Sequence, residues 1–200
     1  MTASIDFYFD FSSPYGYFAA QGIDALAARF GRGVDWHPVL LGAIFKTTGA
    51  RPLAEVPYKG DYSRHDWARI ARLTGIPFRL PALFPISAAN PSRAFLWLAR
   101  RDEGGARRFA LALYAAYFAA GRNIGEAEVV AAVAAEQGLD AAGIAAAMTD
   151  PTVKDELRHV VGQAEARGVF GSPYFVVDGE PFWGWDRLGM LETWLERGGF

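Results

Sequence analysis

The chain contains no cysteine in 200 residues. That excludes structural disulfides, thiolate metal sites and any thiol redox cycle carried by the protein itself. Histidine occurs three times, as His37, His65 and His159, scattered without metal-ligand or triad spacing, so no metal site is expected. Charge of one sign is not in excess: 20 basic against 22 acidic residues give a formal net charge of −2, which leaves no electrostatic footprint for nucleic acid. No window holds the ~20 apolar residues of a membrane span. Met1 runs almost directly into Ile5-Asp6-Phe7-Tyr8-Phe9-Asp10 without a basic leader, so no signal peptide is expected and the reading is a cytoplasmic protein. What is present is 52% hydrophobic and 21% charged, enough to bury a large core without a metal or disulfide staple.

Aromatic residues and Gly/Pro punctuation sit at the two ends, and alanine fills the middle. Ile5 to Phe11 is rich in aromatic residues and reads as a strand. Ser12-Ser13-Pro14 stops it, with Pro14 placed as a first helical residue. Phe18, Ile23, Leu26 and Phe30 are spaced for one helix over 15–30, ended by Gly31, and 34–39 offers a second strand. Helices are then expected over 66–74, 92–101, 106–120, 126–137 and 141–148. Asp150 caps another that starts at Pro151 and runs to Ala166. Tyr174–Val177 is a short apolar strand, Asp178-Gly179 supplies hairpin chemistry, Pro181–Trp183 returns, and Asp186 is expected to cap a last helix through Leu195. The expected class is therefore α/β: a thioredoxin-like fold with an all-helical domain inserted between its β-α-β and β-β-α halves. The implied domains are a discontinuous thioredoxin-like unit, residues 1–40 and 165–200, and an inserted helical unit, residues 41–164.

Several segments carry a family resemblance: Phe7–Tyr17 (FYFDFSSPYGY), Leu40–Gly49 (LLGAIFKTTG), Val56–Tyr62 (VPYKGDY), Gly75–Pro81 (GIPFRLP), Gly168–Pro173 (GVFGSP) and Phe182–Leu195 (FWGWDRLGMLETWL). In that order the chain resembles 2-hydroxychromene-2-carboxylate isomerases and the related kappa-class glutathione transferases. The resemblance implies glutathione as cofactor, a homodimer, and an acidic aromatic substrate of the kind met in naphthalene-type degradation. The implied reaction interconverts 2-hydroxychromene-2-carboxylate and trans-o-hydroxybenzylidenepyruvate, by reversible addition of glutathione thiolate to a conjugated carbon, rotation and expulsion. Kappa-like transfer or peroxide reduction, and a non-catalytic glutathione-binding module, are the alternatives.

The residues agree with a borrowed thiol. A redox relative would carry cysteine at the start of the first helix; here stand Ser12, Ser13 and Pro14, followed by Tyr15. A hydroxyl cannot cycle through a disulfide, but it can donate to a ligand thiolate. Lowering a thiol pKa from ~8.5 by about two units takes roughly 2.7 kcal/mol. A charge-assisted hydrogen bond of ~1.5–3 kcal/mol and a helix terminus of ~0.3–2 kcal/mol cover that. The plain alternative for Ser13 is an N-cap, and Ser12 is the neighbouring candidate. The family pattern puts the thiol-binding serine before the proline, hence Ser13 as the catalytic residue.

By the same resemblance Ser172-Pro173 is expected to be a cis-proline element beside the ligand, although an ordinary turn proline is commoner. Asp186 and Arg187 are expected to grip the γ-glutamyl end, against the plain reading of a cap and a solvated arginine. Lys59, one of only three lysines, matches a family position near glutathione and the acidic substrate; a solvated lysine is the ordinary alternative. In one departure, Ala50 follows Gly49 where family members commonly have asparagine. His37 is expected to be structural. Trp183 and Trp185 are candidates for either the core or an aromatic pocket wall.

Overall fold

A computed structural model describes residues 4–200. Its sheet has the order β2-β1-β3-β4, with β1 (Ile5–Phe9) parallel to β2 (Val34–Pro38) and antiparallel to β3 (Tyr174–Val177), which pairs with β4 (Glu180–Trp183). This is the expected α/β, thioredoxin-like arrangement with a helical insertion. Central position explains why β1 is apolar on both faces. Phe7 and Phe9 turn into the main core against Trp36, Phe95 and Phe175, while Tyr8 joins a smaller cluster with Val39, Ile44 and Tyr174 on the other face. His37 is structural, as expected: its ring stacks on Tyr8 and its Nε2 lies 2.7 Å from Asp6 Oδ1. The β3–β4 turn needs two residues at positive φ, and Asp178 (54°) with Gly179 (87°) supplies them, which is the hairpin read from the sequence.

The expected helix over 15–30 is two: α1 (Pro14–Ala20) and α2 (Ile23–Arg29), broken at Gln21-Gly22, because Gly22 starts the second segment. Then come α3 (Leu41–Thr48), which periodicity did not flag, a 3-10 turn (Leu53–Glu55), and α4 (Lys59–Thr74). Helix α4 begins seven residues earlier than expected because its first turns are polar or exposed and show no apolar stripe. The insertion continues with α5 (Ala89–Ala99), α6 (Glu103–Phe118), α7 (Ala127–Glu136), α8 (Ala141–Thr149) and α9 (Pro151–Ala166). Asp150 caps α9 as read, accepting from Thr152 N at 2.7 Å. The chain ends with a 3-10 turn (Trp185–Arg187) and α10 (Leu188–Arg197). The expectation that Asp186 caps the last helix is corrected. The 3-10 turn leaves Asp186 one residue short of the cap position, which Arg187 occupies without a side-chain capping bond.

One apolar cluster joins both parts of the chain. Phe118 of α6 lies at its centre, wholly buried, with ring centroids 4.5–6.4 Å from Tyr117, Tyr17, Phe78, Tyr114 and Phe84. No helix among the described residues is long and apolar enough to cross a membrane, and no group of three metal-ligating side chains occurs among them.

Candidate active site

The site is built where β1 turns into α1. Ser13 has extended backbone (φ −97°, ψ 113°) and Pro14 opens the helix. The Ser13 Oγ accepts from Gly16 N at 3.0 Å, so it is an N-cap, and it donates to the Ser172 carbonyl at 2.8 Å. Both bonds are buried. A ligand sulfur therefore receives this proton only when the hydroxyl turns from the Ser172 carbonyl toward the cleft. Gly16 is required by close approach: a Cβ there would lie 2.9 Å from the Tyr114 hydroxyl and 3.0 Å from Ser172 Oγ. The Ser172-Pro173 peptide is cis, as expected, and a second cis bond joins Phe84 to Pro85. Ser12 Oγ accepts from Ile86 N at 3.1 Å, so both serines are tied to neighbouring loops.

Behind the serines lies Asp10. Its carboxylate accepts from Ser12 N at 2.6 Å and from Leu41 N at 2.7 Å. Its own N–H donates to Ser172 Oγ at 2.9 Å, and its carbonyl accepts from Ser13 N and from the Tyr114 hydroxyl, each at 2.9 Å. Burial pushes its carboxyl up to about 6, against the opposing pull of the Leu41 and Ser12 N–H groups. Burial, with a smaller contribution from Asp10, holds the Tyr114 phenol well above its ordinary value.

Asp10, Ser12, Ser13 and Ser172 floor a cleft of about 710 Å³. One wall is a face of α4, where Tyr62, Asp66, Arg69, Ile70 and Leu73 recur at helical spacing with Trp67 beside them. Another wall comes from Leu41, Gly42 and Phe45 of α3, and Leu53, in the 3-10 turn packed on α4, adds to the lining. Trp183, Trp185, Asp186 and Arg187 border it beside the Ser172-Pro173 turn, where Gly184 N donates to the Pro173 carbonyl at 3.0 Å. On the α4 wall the Tyr15 hydroxyl donates to Asp66 Oδ2 at 3.0 Å, and Asp66 Oδ1 accepts from Arg69 at 2.6 Å. The Arg69 guanidinium also lies over the Tyr62 ring, 5.9 Å from its centroid. Burial, then Asp66, raises the Tyr15 phenol, so it stays protonated and donating.

Of the residues singled out from the sequence, Ser13, Pro14, Tyr15, Ser172, Asp186 and Arg187 all border this cleft, and Pro173 stands directly behind Ser172. Lys59 does not: it is exposed at the first position of α4, outside the lining. Ala50 is likewise exposed and outside it, just past the left-handed Gly49 that ends α3. Trp183 and Trp185 both serve as wall; Trp183 packs against Phe170 at 4.8 Å, and Trp185 packs on the core near Phe18. Among the polar lining residues, Asp10, Asp66 and Arg69 were not singled out from the sequence, and neither was the apolar face of α4. The α4 spacing was there to be read, and the isolated acid between Phe9 and Phe11 was the signal for Asp10.

Fold and site together define a thioredoxin-like protein without a redox cysteine, and residues 4–196 match the DSBA-like thioredoxin domain family. The 2-hydroxychromene-2-carboxylate isomerase of Sphingobium xenophagum is 32% identical over 197 residues, covering 98% of this chain and 99% of that one. The chain belongs to this isomerase family. Glutathione s-transferase kappa 2 of Caenorhabditis elegans is 28% identical, covering 96% and 91% of the two chains. A solved structure of a 2-hydroxychromene-2-carboxylate isomerase superposes with a TM-score of 0.87 at 27% identity, over 96% of this chain and 94% of that one.

Proposed function

We propose that this protein is a glutathione-dependent isomerase of 2-hydroxychromene-2-carboxylate or a similar conjugated aromatic acid. The observation that carries the reading is a serine hydroxyl, in place of cysteine, at the floor of a mostly apolar cleft that also holds two guanidinium groups. The donor set suits the tripeptide. Glutathione brings an ammonium, two carboxylates and a thiol; toward these the lining offers the Asp186 carboxylate, the Arg187 guanidinium and the Ser13 hydroxyl, and Arg69, paired with Asp66, is left for the acid. The cleft volume falls within the range of ligand sites that bury most of their ligand. When bound, glutathione supplies a thiolate that adds reversibly to the conjugated carbon and leaves a bond free to rotate.

The chain's own residues do the rest. Ser13 turns its proton from the Ser172 carbonyl to the sulfur and so favours the anion. Asp186 and Arg187, beside the Ser172-Pro173 turn, bind the γ-glutamyl group of opposite charges. Phe45, Leu53, Ile70, Leu73 and Phe84 exclude water and pack the aromatic part of the acid. Arg69, held in place by Asp66 and Tyr62, receives the carboxylate of the acid, since Lys59 lies outside the lining. Arg69→Gln is expected to raise KM for the acid about tenfold or more while leaving the neutral methyl ester unaffected; steady-state kinetics on the pair checks this.

The function itself is tested by mixing protein and chromene carboxylate with and without glutathione. Isomerisation that depends on glutathione, without consuming it, is the expected result; undiminished turnover in its absence refutes the mechanism. A second reading, transfer of glutathione to an electrophile, is favoured by the kappa relatives and is recognised by stoichiometric loss of the thiol.

A further inference from the structure

Asp10 is a buried carboxylate at the cleft floor with no cationic partner among the described residues. A bare buried charge is costly, and here it is compensated only by N–H donors. Each of its oxygens receives one: Ser12 N from the β1–α1 loop and Leu41 N from the first residue of α3. Helix α3 has no side-chain cap of its own, because its N-cap position is Leu40. Asp10 therefore caps α3 from another element and, through the same group, holds the residue next to Ser13.

We propose that Asp10 is a positioning residue of this site, whose ionised carboxylate locks the serine loop to the α3 wall so that the cleft binds its thiol tripeptide only while that lock is closed. The ligand part of this inference rests on the glutathione reading above. The chemistry of the lock is one-sided. A carboxylate accepts from both N–H groups at once, whereas the hydroxyl oxygen of the neutral acid is a poor acceptor whose proton needs an acceptor of its own. Both partners of the carboxyl oxygens are N–H donors, so protonation releases one of them. The groups that face Asp10 from neighbouring elements do not titrate near neutrality: Ser172 ahead of β3, Tyr114 and Tyr117 of α6, whose phenols burial pushes up, and the Leu41 and Ser12 amides. Opening takes an N–H group from a carboxyl that stays buried behind Tyr114 and Ser172, so the open form binds its proton more tightly than the closed form. With the closed carboxyl near 6, the lock therefore opens as pH falls through that region.

The test uses the whole protein and S-methylglutathione, which has no titrating sulfur. Calorimetry is expected to show about tenfold weaker binding near pH 5 than near pH 8, with amide exchange of α3 rising in the same window. Asp10→Asn is expected to bind weakly and without this transition. Leu41→Pro is the second variant. Proline is tolerated at the first helical position, and Leu40 before it is already extended, as proline requires. It removes one N–H that favours the anion, so its transition is expected at higher pH than in the unaltered protein. A flat wild-type exchange profile, a transition that survives Asp10→Asn, or an unmoved midpoint in Leu41→Pro overturns the proposal. Failure to bind S-methylglutathione at any pH counts against the glutathione reading, and the α3 exchange profile still decides the lock.

Discussion

Ser13→Ala is expected to lower glutathione-dependent turnover by roughly 10²–10³-fold, the usual loss when one aligned donor to a developing anion is removed. It is also expected to destabilise the fold by about 0.5–2 kcal/mol, because the Gly16 N–H loses its cap. The two effects have one cause in the structure, a hydroxyl that accepts from α1 and donates to Ser172, and a second variant separates them. Ser13→Gly costs only a few tenths of a kcal/mol as a cap but removes the hydroxyl just as completely. Its turnover is expected to fall as far as that of the alanine variant while its melting temperature stays closer to wild type. Ultraviolet titration of bound glutathione gives the corresponding shift: the thiol pKa should rise toward its solution value of ~8.5 in both variants. Turnover that tracks stability instead would make Ser13 a cap and nothing more.

Phe118→Ala is expected to be the most damaging substitution for stability, at about 3–5 kcal/mol, as for large-to-small changes at fully buried aromatics. For a chain of this size that corresponds to a fall in melting temperature of roughly 6–20 °C. The reason is position. Phe118 touches Tyr17 of α1, Phe78 and Phe84 of the loop before α5, and Tyr114 and Tyr117 of its own helix. Its removal opens a cavity between the thioredoxin half and the inserted helices. A single calorimetric transition, shifted as a whole, is expected; a split into two would show that residues 41–164 melt apart from the terminal segments.

The architecture was legible because its signals are local. Asp150-Pro151 and Asp178-Gly179 each perform the task their chemistry allows, one as a helix start and the other as a turn with positive φ at both residues. Helix α3 was invisible because Leu40, its N-cap, offers no capping side chain; the missing cap is Asp10, 31 residues away in sequence. For the same reason Asp10 escaped notice as a site residue, since its importance comes from what folding brings to it. Asp186 shows the opposite failure: a local cap signal was present, but the chain used a 3-10 turn and left its carboxylate at the cleft rim. Lys59 and Arg69 lie ten positions apart on one helix, and only the three-dimensional arrangement decides which cation meets the cleft.

The cleft draws its floor from the two ends of the chain and its α4 wall from the insertion between them. On the glutathione reading proposed above, sulfur handling and the choice of acid are written in separate stretches of polypeptide. On that reading Tyr62, Ile70 and Leu73 can drift toward new partners while the serine, proline and aspartate beneath them stay as they are, so one scaffold would serve many unsaturated acids without relearning how to hold a thiol.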